Sequence, residues 1–197
     1  MNLPIYKATI VSDECGVERI SLVDYPAVEW DFLAFSNDIK QVMFSADEEK
    51  HIITGVLLRA DFPIYRNDAV WGEYYIKFDR ETIKKTAEKL LEDGNHNTIN
   101  LQHIPNSDVE GVKMLEIFFK DAENGVIPKG FEAVSDGSLM ATFKVHNPKI
   151  WENIKNGTFR GFSIEGNFGF DLEMSKEDKL FNEIMAMLDE LEIIKNK

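Results

Sequence analysis

Cysteine is almost absent from this chain: Cys15 is the single one in 197 residues. That excludes an internal disulfide and any cysteine-based metal site, and it fits a reducing compartment. Basic residues are also scarce, 22 Lys and Arg against 35 Asp and Glu, for a formal net charge of −13. Nucleic-acid affinity rests on clustered cations, so no nucleic-acid partner is expected. No apolar run approaches the roughly 20 residues of a membrane span, so no membrane partner is expected either. The opening Met-Asn-Leu-Pro-Ile-Tyr-Lys lacks a basic region and an apolar stretch, so no signal peptide is expected. The four histidines have no i, i+4 spacing, and neither a phosphate-binding loop nor a dinucleotide fingerprint is present. The expectation is a cytosol-made protein with no metal and no cofactor.

What the chain does have is apolar material, 44% by composition with 14 phenylalanines, enough for one core and a short appendage. Strands are expected at 5–10, 17–23, 51–59, 73–78, 98–104, 112–120 and 138–145. The run Ala46 to Lys50 reads as a solvated turn, and residues 66–72 read as a polar insert. Asp79 caps a helix whose apolar face is Ile83, Ala87, Leu90 and Leu91, and Gly94 stops it. Asn147-Pro148 opens a second helix closed by Gly157. After residue 174 the pattern changes. A capping start at Ser175 leads into a stripe of Phe181, Ile184, Leu188 and Leu191, which reads as an amphipathic C-terminal helix for docking or assembly. Many strands, two short flanking helices and few βαβ signals give an α+β fold. It is β-rich, a curled sheet or a closed β-barrel over residues 1–173, with 174–197 as the helical tail.

The stretch most suggestive of chemistry runs from Thr158 to Phe170. With period two, Phe162, Ile164, Phe168 and Phe170 face the core, while Gly161, Ser163, Glu165 and Asn167 face the other way. Ser163 is the one hydroxyl on that polar face, and glycines at 161 and 166 allow close approach of another backbone. Ordinary surface explains such a pattern as readily as a nucleophile does. Among the histidines, His51, His96 and His146 sit at a strand start, in an asparagine-flanked loop and at a helix entry. His103 ends a strand and shares, by alternation, the face of Ile99 and Leu101. It is either a core histidine with its hydrogen bonds met or a general base for a serine hydroxyl. Glu116 lies in a strand apolar on both faces, where a carboxylate is costly unless paired. It reads either as an edge residue reaching solvent or as the group that orients a histidine.

Several segments in order resemble a known family. They include Ile20-Ser21-Leu22-Val23-Asp24-Tyr25-Pro26-Ala27, Ile52-Ile53-Thr54-Gly55-Val56-Leu57, Pro63-Ile64-Tyr65-Arg66 and Gly72-Glu73-Tyr74-Tyr75. Asn100-Leu101-Gln102-His103, Val109-Glu110-Gly111-Val112, Glu116, Pro128-Lys129-Gly130-Phe131 and the block from Trp151 to Gly166 complete the set. The chain resembles the XkdF-like serine proteases of tailed phages, the prohead maturation proteases, a class similar to the herpesvirus assemblins. The resemblance implies a serine endopeptidase on an assemblin-like barrel, with Ser163 as nucleophile and His103 as general base. Assemblins use a histidine after the serine as third member, and this chain has none beyond His146. Glu116 is the first choice to replace it, and Glu18 the second. Backbone N–H groups near Gly161 or Arg160 would form the oxyanion site. The implied substrates are phage scaffold and major capsid proteins, cleaved by a homo-oligomer inside the assembling prohead in the host cytoplasm. Two other readings stand beside it: an inactive scaffold or internal head protein on the same fold, and an unrelated β-rich binding domain.

Overall fold

The computed structural model describes residues 3–26 and 44–173. The expected C-terminal helix lies outside the described residues. Eleven strands and two helices are described, arranged as three hydrogen-bonded sheets.

The central sheet carries the site. It has the order β10 (Gly161–Asn167), β2 (Gly16–Val23), β7 (Ile99–Leu101), with β10 antiparallel and β7 parallel to β2. A second sheet runs β11 (Gly169–Leu172), β1 (Ile5–Thr9), β6 (Gly72–Lys77), β5 (Ile64–Asp68). The third runs β3 (Ser45–Asp47), β4 (Ile52–Leu58), β9 (Leu139–Val145), β8 (Val112–Phe119). The α+β class and the two short helices therefore stand. A closed barrel does not form among the described residues, because closure requires the two edges of one sheet to pair. Here β10 and β7 are the separate edges of the central sheet.

The helices follow their sequence signals. Helix α1 (Arg80–Glu92) begins at Asp79, whose side chain accepts from the Thr82 N–H at 2.8 Å, and it buries Ile83, Ala87 and Leu90. Helix α2 (Pro148–Lys155) is capped by Asn147 and buries Ile150, Trp151 and Ile154.

Three local departures shape the site. The polar insert at 66–72 is in part strand: Asp68 accepts from the Val70 and Trp71 N–H groups, and this turn joins β5 to β6 as a hairpin. The stretch 158–170 is two strands, β10 and β11, in different sheets, with a register shift at Glu165/Gly166. A Cβ on Gly166 would run into the backbone of Gly16, so the glycine is what lets β2 come so close there. Finally, β7 stops at Leu101 because Gln102 and His103 both adopt left-handed backbone, at φ 53° and 56°.

Phe162 pins the central sheet to the third. It is 1% exposed, its ring lies 4.8 Å from that of Phe143 and 4.5 Å from that of Phe44, and Gly55 of β4 leaves room for it. Burying a phenylalanine of this kind contributes about 2–3 kcal/mol. The inward face of β10 thereby fixes where its polar face points.

Candidate active site

The polar faces of the three central strands form one patch. Ser163 stands opposite Ser21 in the β10–β2 register, and Ser21 stands opposite Asn100 in the β2–β7 register. Directly opposed residues project to the same side of a sheet, so the two serines and Asn100 make a row. Glu165, two residues along from Ser163, joins them from the same face.

His103 reaches this patch by an unexpected route. Strand alternation would put it with Ile99 and Leu101, on the other face. The two left-handed residues at 102 and 103 break the alternation and turn the imidazole over toward Asn100 and Glu165. Such backbone costs on the order of 1 kcal/mol or more per residue outside glycine and is held here by its surroundings. The Gln102 N–H donates to Leu22 O at 3.0 Å, and its side-chain Oε1 accepts from the Asp24 N–H at 3.3 Å.

The hydrogen bonds have a definite direction. His103 Nδ1 lies 2.9 Å from Glu165 Oε1 and 2.9 Å from Ser21 Oγ. Asn100 Nδ2 donates to Glu165 Oε1 at 2.6 Å, and Ser21 Oγ donates to Asn100 Oδ1, with Glu165 Oε1 also 2.9 Å away. An ionised carboxylate can only accept, so Nδ1 of His103 must carry the hydrogen. The neutral imidazole is then the Nδ1–H tautomer, and Nε2 holds the free lone pair. Burial pushes the Glu165 carboxyl up, but hydrogen bonds from Asn100, His103 and Ser21 outweigh it and leave its pKa below the ordinary glutamate value.

Ser163 and Ser21 differ in access. Ser21 is 0% exposed and spent on the network, whereas Ser163 opens on two depressions. One is an open cleft of about 440 Å³ shared with His103, Glu165, Tyr25, Tyr65 and Arg66. The other is a more enclosed cavity of about 120 Å³, walled mainly by apolar side chains such as Leu57, Ile64, Phe78 and Phe168. A peptide could reach Ser163 from the cleft while placing an apolar side chain in the cavity.

The residues expected from the sequence divide accordingly. Ser163 and His103 share the cleft. Glu116 does not join them. It is exposed on β8, opposite Thr142 in the third sheet, and the bulge at Leu115 has shifted the strand's alternation so that its carboxylate meets solvent. Glu18 is exposed too and accepts from Asn167 Nδ2 at 2.8 Å. The Arg160 N–H donates to Val23 O at 2.8 Å, so it is already used by the sheet and is not free for an oxyanion. Gly161 packs on Pro26, and a Cβ there would overlap the proline ring. Glu165, Asn100 and Ser21 are the members that sequence reasoning passed over. The available signal was that Glu165 shares the polar face of Ser163.

Among the described residues no group of three His, Cys, Asp or Glu side chains is placed to hold a metal ion. No described helix is long and apolar enough to cross a membrane.

A family model described as putative phage serine protease XkdF matches residues 38–170, more than half of the chain. The chain belongs to this family. Ser163, His103, Glu165 and Asn100 all fall within the matched residues, and Ser21 precedes them. No curated protein and no solved structure matches.

Proposed function

We propose that this protein is a serine endopeptidase in which Ser163 is the nucleophile, His103 the general base and Glu165 the carboxylate that orients it. The observation that carries the reading is the 2.9 Å contact of Glu165 with His103 Nδ1, beside a cleft that Ser163 also lines. Glu165 thereby takes the role that the sequence assigned to Glu116.

The chemistry follows from the tautomer. His103 Nε2 takes the Ser163 hydroxyl proton as Oγ attacks the scissile carbonyl, and the imidazolium that forms is stabilised by Glu165. Nε2 then protonates the leaving amine, and the acyl group is left on Ser163. Water, deprotonated by the same nitrogen, releases the acid and restores the serine. Asn100 and Ser21 hold Glu165 and the ring in place, so that the base is ready without reorganisation.

The biological role we infer is prohead maturation: cleavage of scaffold and major capsid proteins by a homo-oligomer inside the assembling phage head, in the host cytoplasm. Support comes from membership of a phage serine protease family. Intact-mass analysis of the chain co-expressed with those proteins tests it, with Ser163→Ala alongside. Discrete fragments that vanish in the variant are expected. Identical masses from both would instead favour an inactive head protein on this fold.

A further inference from the structure

Arg66 on β5 lines both the open cleft and the apolar cavity beside Ser163. Its Nη1 donates to the Tyr65 carbonyl at 2.9 Å, and among the described residues no carboxylate forms an ion pair with it. The nearby acids are otherwise engaged. Glu165 takes hydrogen bonds from Asn100 and His103, with Ser21 Oγ also 2.9 Å away. Asp68, two residues along β5, accepts from the Tyr74 hydroxyl at 2.7 Å and from the Val70 and Trp71 N–H groups. Burial lowers the Arg66 pKa from its ordinary value, since partial loss of water penalises the charged guanidinium. A guanidinium in that condition has unused donors in a planar fork, which matches a carboxylate in two parallel bonds.

We propose that Arg66 determines specificity in this cleft by binding an Asp or Glu side chain of the substrate next to the bond presented to Ser163. The inference rests on the endopeptidase reading and names the substrate class of that site. A glutamine of the same shape offers one acceptor and no charge, so it leaves the guanidinium short of a partner. The discrimination expected between Glu and Gln is about tenfold or more.

The test uses capped octapeptide libraries that differ only by Glu or Gln at one scanned position. The full chain should cleave the Glu member at least about tenfold faster in kcat/KM at one position, with the ratio falling close to one in Arg66→Gln and to an intermediate value in Arg66→Lys. Equal rates for Glu and Gln in the wild type, or a ratio unchanged in Arg66→Gln, would overturn the proposal while leaving the protease reading intact. Retention of the same libraries by Ser163→Ala, read by mass spectrometry, separates the two claims. If nothing is cleaved but Ser163→Ala retains Glu over Gln peptides, and the added Arg66→Gln change removes that preference, Arg66 binds acid and the protease reading fails. No preference in retention would overturn the assignment of Arg66.

Discussion

Ser21 and Ser163 face each other across the antiparallel β2–β10 pair, and the hydroxyl that touches His103 is the buried one, Ser21, at 2.9 Å from Nδ1. On the proposed mechanism each serine has its own nitrogen to serve. Nδ1 is occupied by Ser21 and Glu165, and His103 shares its cleft with Ser163. On that mechanism the two serines have different work, one holding the base and the other using it, and substitutions should separate them.

Glu165→Gln should lower kcat by about 10²- to 10⁴-fold with little change in KM, because an amide can present its N–H to Nδ1 and favour the wrong tautomer. Glu116→Gln, on the exposed β8, should leave kcat unchanged. Steady-state kinetics on one cleaved peptide checks both, and equal losses in the two variants would count against Glu165.

Ser21→Ala should act through stability and positioning. Removing the hydroxyl leaves Asn100 Oδ1, buried at 2% exposure, without its donor. An unsatisfied buried acceptor of this kind costs about 1–3 kcal/mol. Denaturant unfolding should show that loss, and kcat should fall while acylation still occurs on Ser163. Acylation that disappears in Ser21→Ala but persists in Ser163→Ala would reverse the assignment.

The pH dependence of stability has a determined sign. The folded Glu165 pKa lies below its unfolded value, so its carboxylate stabilises the fold above the ordinary glutamate value of about 4.3. That contribution is lost as pH falls through the depressed folded value. Melting temperatures of wild type and Glu165→Gln should therefore converge in acid and separate above pH 5. A gap that widens on acidification would contradict the arrangement.

Much of the framework was legible in the sequence because it depends on local signals: the Asp79 and Asn147 caps, the alternation through β4 and β9, and the glycine-flanked Ser163. What escaped was set by events that change parity or join distant strands. The left-handed pair at Gln102 and His103 moved the histidine to the opposite face, and the bulge at Leu115 turned Glu116 to solvent. The partnership of Glu165 with His103 and Asn100 depends on β2 lying between β10 and β7. Spacing along the chain cannot report that order, though the shared face of Ser163 and Glu165 was already visible.

The most direct measurement is labelling of the full chain with a fluorophosphonate, followed by peptide mapping. The account predicts a single adduct on Ser163 that is lost in His103→Ala and strongly slowed in Glu165→Gln. An adduct on Ser21, or labelling of Ser163 that is indifferent to His103, would contradict it.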